Sequence, residues 1–175
     1  SILRAMRTNI QARRVVEGGS TITQQLVKNL FFTESGRTYD RKLKEAYMAY
    51  CLENKYDKEK ILEMYLNQIY FGNNAYGIER AAKRYFNKRA AELNLAESAF
   101  LAGLVKAPSE LGAKDGREKA FSRQSDILAK MVEYGYVTAQ QAKEAKETKL
   151  VFKKGRNPLQ KYPYYISYVM QLLSE

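Results

Sequence analysis

The stretch Asp57-Lys58-Glu59-Lys60-Ile61-Leu62-Glu63-Met64-Tyr65-Leu66-Asn67-Gln68-Ile69-Tyr70-Phe71-Gly72-Asn73-Asn74 carries the clearest structural signal in the chain. Its apolar residues Ile61, Leu62, Tyr65, Leu66, Ile69 and Tyr70 recur at helical spacing, which places them on one face of an α-helix. Asp57 can accept from the free N–H groups of the first turn, and Gly72 with the two asparagines supplies the stop. Glu63 and Asn67 share a face of this helix. An acid and an amide among so many core residues usually make internal hydrogen bonds, so both read as scaffold.

The same grammar extends in both directions. Thr21 with Gln24 fits a capping box that opens a helix through about Leu30, and a second helix is expected from about Asp40 to Asn54. Gly77 to Phe86 reads as a short basic helix. Asn94 with Glu97 opens another that runs to Val105, with Pro108 ending that stretch. Arg117 to Tyr134 reads as a long helix stopped by Gly135, and Thr138 with Gln141 is a further capping box. At about Thr148 the composition changes: Lys149 to Lys153 is expected to be a short strand, and Tyr162 to Leu173 a separate amphipathic helix. The reading is a mainly α chain, with one domain over residues 1–147 and an appendage over residues 148–175.

Composition narrows the function classes. The chain has 175 residues, the size of one ordinary domain, with 45% hydrophobic and 28% charged residues, which is the composition of a packed domain and not of a disordered one. It contains no histidine, which excludes a Ser-His-Asp triad, a Cys-His dyad and a histidine-held metal within these residues. The single cysteine, Cys51, cannot form an internal disulfide, and its apolar-rich setting Ala46–Leu52 reads as that of a buried small residue. A net charge of +11 favours polyanionic partners such as nucleic acid, anionic lipid or phosphorylated substrates. No motif for DNA or RNA is present, and the cations cluster beside Ser/Thr/Gln caps instead of along one recognition helix, so nucleic acid is not the expected partner. The longest apolar run, Ala99 to Val105, is far short of the roughly 18 residues that span a bilayer.

Two clusters can carry chemistry. In Gly18-Gly19-Ser20-Thr21-Ile22-Thr23-Gln24-Gln25-Leu26-Val27-Lys28-Asn29, glycines precede hydroxyls and amides at a helix N-terminus, where free N–H groups and the helix dipole suit an anion. Lys28, one turn after Gln24, adds a full charge to that face. The plainer reading is a well-capped surface helix. The second cluster is Arg37, Arg41, Lys42 and Glu45. Arg41 and Glu45 are either an ordinary surface ion pair or a carboxylate held among cations beside an anionic substrate.

Gly19-Ser20-Thr21-Ile22-Thr23-Gln24-Gln25 with Lys28-Asn29, Arg41-Lys42 with Glu45, Ile61-Leu62-Glu63 with Tyr65-Leu66-Asn67, and Tyr70-Phe71-Gly72 together resemble the peptidoglycan glycosyltransferase family. Gly77, Ala81-Ala82, Tyr85-Phe86, Leu95-Ala96-Glu97, Leu101-Ala102-Gly103-Leu104 and Lys106-Ala107-Pro108-Ser109 continue the series in order, over residues 1–147. Lys161-Tyr162-Pro163-Tyr164-Tyr165-Ile166-Ser167-Tyr168-Val169 resembles the junction to the transpeptidase domain of class A penicillin-binding proteins. Neither Ser-x-x-Lys nor Lys-Thr-Gly occurs here, so that second activity is not expected of these residues.

The resemblance implies a mainly α fold with a lysozyme-like lobe and a smaller membrane-facing lobe. It implies an enzyme that polymerises lipid II into glycan strands by inverting transfer, with release of undecaprenyl pyrophosphate, at the outer face of the bacterial cytoplasmic membrane. There an upstream transmembrane helix anchors family members. Carried onto this chain, Lys28 and Arg37 would bind pyrophosphate with Arg41 and Lys42, while Ser20, Thr21, Gln24 and Gln25 position the donor. Glu45 would be the family's second catalytic glutamate, acting on the leaving group directly or through Mg²⁺ or another divalent cation. The implied partners are lipid II, the growing lipid-linked chain, an anionic membrane surface, moenomycin-type phosphoglycolipid inhibitors and other cell wall synthesis proteins. A lytic glycan-cleaving enzyme is the alternative that the lysozyme-like lobe raises, and the cations at Lys28, Arg37, Arg41 and Lys42 argue against it.

Two departures accompany the match. The family's first motif, Glu-Asp-x-x-Phe-x-x-His-x-Gly, supplies the general base and lies further upstream than the seventeen residues that precede Gly18. These residues alone are therefore expected not to turn over. Ser109-Glu110-Leu111-Gly112-Ala113 also stands where the family has Ser-x-Tyr-Asn-Pro. The membrane-facing side is expected near Ile2, Leu3, Met6 and Ile10 beside Arg4, Arg7, Arg13 and Arg14.

Overall fold

The structure, a computed structural model, describes residues 20–32 and 38–152. Gly18, Gly19, Arg37, the amphipathic run from Ile2 to Arg14 and the tyrosine-rich segment Tyr162–Leu173 lie outside the described residues. The described part is built of helices: α1 (Ile22–Phe31), α2 (Tyr39–Lys55), α3 (Lys58–Gln68), α4 (Ile78–Phe86), α5 (Leu95–Leu104), α6 (Pro108–Leu111), α7 (Arg117–Glu133) and α8 (Ala139–Glu147), with a 3₁₀ turn at Ala90–Glu92. Contacts divide the chain into two compact units, residues 1–78 and 79–175.

In the first unit, α1 packs on both α2 and α3. The contact forms because Leu26 and Val27 of α1, Ala49 of α2 and Ile61, Tyr65 and Ile69 at the α3 end all lose nearly all their exposure. At about 25 cal/mol per Å² of apolar surface, this burial outweighs the weak intrinsic stability of helices only ten or eleven residues long. Thr21 and Asp57 cap α1 and α3 as their sequences predict. After α3 the chain turns back on itself through left-handed Gly72, Asn73 and Asn74, closed by Phe71 N–H to Ala75 O at 2.8 Å and Gly77 N–H to Ile69 O at 2.9 Å. Gly77 is obligatory there. Its φ is +83°, and a Cβ would sit 2.5 Å from the Asn67 carbonyl oxygen.

In the second unit, α5 packs along α7 at close range, with a Cβ on Gly103 meeting Arg123 Cβ at 3.2 Å. Buried Gln124 of α7 donates to the Ala96 carbonyl of α5 at 2.8 Å, which satisfies a polar group inside the contact. Lys88 grips both oxygens of Glu97, at 2.8 and 2.9 Å, and Glu97 also completes the capping box with Asn94. Tyr85, Phe86, Phe100, Phe121 and Phe152 form an aromatic cluster with ring separations of 5.2–6.3 Å, and Arg117 lies 4.5 Å over the Phe152 ring.

The mainly α class is as expected, and four local readings are corrected. Pro108 begins α6 instead of ending a stretch, because proline at the first helical position loses no hydrogen bond. The described part of the expected strand, Lys149–Phe152, is not a strand: Leu150 and Phe152 turn inward, Phe152 into the aromatic cluster, and among the described residues there is no strand to pair with. Cys51 is exposed, because it falls on the face of α2 away from the buried Glu45 and Ala49. Glu63 is also exposed, and pairs with Lys60 at 2.8 Å on the α3 surface, so its partner is a neighbouring turn and not an interior group. No helix among the described residues is long and apolar enough to cross a membrane.

Candidate active site

The site is made where the start of α1 meets the first turns of α2. Thr38 ends the extended approach to α2 by accepting from the Arg41 N–H at 3.2 Å, and this sets which side of the helix each later residue takes. Arg41, Lys42 and Glu45 then fall on the side that α1 covers. Glu45 is only 2% exposed, although it is a carboxylate. Burying such a group costs several kcal/mol unless charge and hydrogen bonds replace the lost water. Both replacements are present. Arg41 Nε lies 3.0 Å from Oε1, and Lys42 Nζ donates to Oε2 at 3.0 Å. Oε1 meets its cation as a charge contact, since among the described residues it accepts no hydrogen bond.

Lys42 also ties the two helices together. Its Nζ donates to Ser20 Oγ at 2.8 Å, across 22 positions of sequence. Ser20 stands just before the Thr21 cap of α1, so this contact joins the hydroxyl-rich helix start to Glu45. Arg41 is 13% exposed and Lys42 48%, so the carboxylate is sealed while one cation remains reachable from solvent. Two positive charges against one negative leave the cluster net positive, and the helix N-terminus beside it has the same sign. This arrangement suits an oxygen-rich anion that approaches Lys42 and Ser20.

The other expected residues separate by role. Thr21 Oγ1 accepts from the Gln24 N–H at 3.2 Å and Gln24 Oε1 from the Thr21 N–H at 3.3 Å, so both side chains hold the cap. Gln25 instead meets α3, where the Tyr65 hydroxyl donates to its Oε1 at 3.2 Å. Lys28 is exposed in the last turn of α1, where its charge complements the carbonyl end of the helix; among the described residues it makes no hydrogen bond or ion pair with the cluster. Arg37 lies outside the described residues. Tyr65 is the residue that sequence reasoning missed. It sits on the apolar face of α3 and reads as core, and the only clue was that a buried phenol needs a hydrogen-bond partner.

A divalent cation is not well served by this donor set. Mg²⁺ takes oxygen ligands at about 2.1 Å in octahedral geometry. Among the described residues no group of three acids, cysteines or histidines could hold a metal ion. Glu45 offers one carboxylate, and both of its oxygens already face cationic nitrogens at 3.0 Å. As arranged, the described residues by themselves do not fit the ion.

A family model for transglycosylases matches residues 1–132. Penicillin-binding protein 1A of Aquifex aeolicus is 50% identical over 154 residues, covering 88% of this chain and 21% of that protein. Penicillin-binding protein 1F of Bacillus subtilis is 47% identical over 142 residues, 81% of this chain and 20% of its own length. The crystal structure of penicillin-binding protein 1A from Haemophilus influenzae aligns with a TM-score of 0.55 at 26% identity, over 86% of this chain and 19% of that one. The chain thus spans about one fifth of the length of the relatives it matches. It belongs to the transglycosylase family, and the relatives it matches are penicillin-binding proteins.

Proposed function

We propose that the chain provides the donor and leaving-group side of a glycosyltransferase that polymerises lipid II into glycan strands for the bacterial cell wall. The observation that carries this reading is the buried Glu45, flanked by Arg41 and Lys42 and joined through Lys42 to Ser20 at the start of α1. The acceptor sugar's 4-hydroxyl gives up its proton to a general base, the role that the resemblance assigns to the family's first motif, and attacks the anomeric carbon of the growing chain; the new C–O bond forms as the bond to pyrophosphate breaks, and the lipid pyrophosphate leaves with inversion. Negative charge therefore grows on the pyrophosphate oxygens, and fixed cations already in place stabilise it most in the transition state. Lys42 is the reachable cation, and Arg41 reinforces it from behind. Glu45 fixes both, so that neither side chain has to be ordered when substrate binds. Thr21 and Gln24 serve by holding the helix start rigid, and Lys28 and Arg37 are read as further cations for the pyrophosphate.

The lipid substrate places this work at a membrane surface, at the outer face of the bacterial cytoplasmic membrane. The side of α2 away from Glu45 supports that setting, with Tyr39, Leu43, Tyr47 and Tyr50 all exposed along it. Tyrosines of this kind suit a headgroup boundary, and the net charge of +11 favours anionic lipid. Phosphoglycolipids of the moenomycin type, which carry sugars on an anionic phosphate, would compete for the same cations, and other cell wall synthesis proteins would act alongside.

The test is incubation of the full-length protein with lipid II. Glycan strands with stoichiometric release of prenyl pyrophosphate are the expected result. Cleavage of preformed strands without pyrophosphate release would instead assign a lytic activity.

A further inference from the structure

The buried residues of α2 are Glu45 and Ala49, so its first turn lies ahead of the packed part of the helix. Tyr39, which opens the turn, is 93% exposed, and Leu43 just after it is exposed as well. Yet this turn carries Arg41 and Lys42, the two cations that face Glu45. A helix start without apolar packing frays unless its free N–H groups find acceptors. Here one residue supplies two of them. Thr38 Oγ1 accepts from the Arg41 N–H at 3.2 Å, and the Thr38 carbonyl oxygen accepts from the Lys42 N–H at 3.2 Å. A backbone N–H can only donate, so the direction of both bonds is fixed.

We propose that Thr38 is a positioning residue for the leaving-group site: its hydroxyl keeps the first turn of α2 wound, and so keeps Arg41 and Lys42 in place against Glu45 and toward the donor's pyrophosphate. The inference rests on the glycosyltransferase reading above and deepens it, adding a residue that acts through the two cations. Helix geometry supplies the link. Arg41 reaches Glu45 across four positions and Lys42 across three, separations that bring side chains together only while the backbone between them is helical. Unwinding the turn would part both side chains from Glu45, and Lys42 from Ser20. Cations then have to be ordered again each time pyrophosphate departs, and the rate falls with the fraction of time the turn spends unwound. The loss is local, because α2 still packs on α1 beyond Glu45 through buried Ala49.

The experiment compares Thr38→Val, which keeps the branched shape without the hydroxyl, with Thr38→Ser and Thr38→Asn, which restore an acceptor at the cap. All are made in the full-length protein, and Thr38→Val is also combined with Lys42→Met. The readouts are kcat and KM for lipid II, binding of a short-chain prenyl pyrophosphate, and amide hydrogen exchange along α2, with a thermal melt to report folding. Thr38→Val is expected to lower kcat/KM and pyrophosphate affinity at least roughly threefold and to speed exchange in the first turn of α2 but not near Ala49. Serine and asparagine should each recover to within about twofold of wild type. In the Lys42→Met background the valine substitution should cost less, since the reachable cation it displaces is gone. A loss below roughly threefold, no recovery by serine and asparagine, or an equal loss in both backgrounds would overturn the positioning role. If Thr38→Val melts below the assay temperature, Thr38→Ala takes its place. Should the wild-type protein make no glycan, the function reading fails while the prenyl pyrophosphate and exchange arms still decide the role of Thr38. Glycan made at an undiminished rate by folded Thr38→Val fails the inference alone.

Discussion

Replacing Lys42 with methionine removes the one charge that touches both Ser20 and Glu45 while keeping most of the side chain's volume and its apolar stem. The cost to folding is small. Lys42 is 48% exposed, so water screens the lost pair with Glu45, and Arg41 still faces the carboxylate at 3.0 Å; about 1 kcal/mol is expected. The cost to reaction is larger. A unit charge about 4 Å from a phosphate oxygen contributes about 4 kcal/mol at an effective dielectric of about 20. Discounting for the half-exposed position leaves about 2–3 kcal/mol, or a loss of roughly 30- to 150-fold in kcat/KM. Lys42→Arg, which keeps the charge but not the compact ammonium bridging Ser20 to Glu45, should fall between the two. The assay is continuous lipid II polymerisation at fixed ionic strength, beside urea unfolding of each variant. Destabilisation by about 1 kcal/mol with kcat/KM within about threefold of wild type would show that Lys42 only satisfies a buried acid, and the leaving-group argument would fall.

Three further outcomes follow from other parts of the fold. Gly77→Ala places a Cβ 2.5 Å from a backbone oxygen at φ +83°, so a loss of about 2–4 kcal/mol is expected by denaturant unfolding, whereas Gly135→Ala, at φ +74° in open space, should cost only about 1 kcal/mol; similar losses at both would refute the close-approach argument. Because burial raises the Tyr65 pKa above 10.0, the unfolded chain binds fewer protons than the folded one above that pH, so this group adds no pH dependence below it and lowers stability as pH rises beyond it. Wild type should therefore lose stability more steeply than Tyr65→Phe as pH rises above about 10, and parallel curves would contradict the burial of the phenol. EDTA should leave polymerisation within roughly threefold, since cationic nitrogens already face both Glu45 oxygens; a loss above roughly tenfold that Mg²⁺ restores would show that an ion displaces Lys42.

The helices were legible because their ends are written locally. Thr21 with Gln24, Asn94 with Glu97 and Thr138 with Gln141 each form the capping box their spacing predicts, and Asp57 caps α3. Residues whose setting depends on distant neighbours were less legible. Arg41 and Glu45 one turn apart look alike on a solvated surface and at a buried site, and only the packing of α1 against α2 shows that Glu45 is sealed. The link from Lys42 to Ser20 spans 22 positions and that from Tyr65 to Gln25 spans 40, so no local window contains either. Cys51 and Glu63 were misread for the converse reason, since apolar neighbours in sequence lie on other faces of the helix.

Glu45 is the residue on which the account depends most. The decisive measurement is lipid II polymerisation by the full-length protein and its Glu45→Gln variant, each shown by thermal melting to be folded. The account predicts that the variant loses at least roughly a hundredfold in kcat/KM, because Arg41 and Lys42 lose the charge that holds them in place. Polymerisation within about threefold of wild type would contradict it and reduce Glu45 to an ion-pair residue.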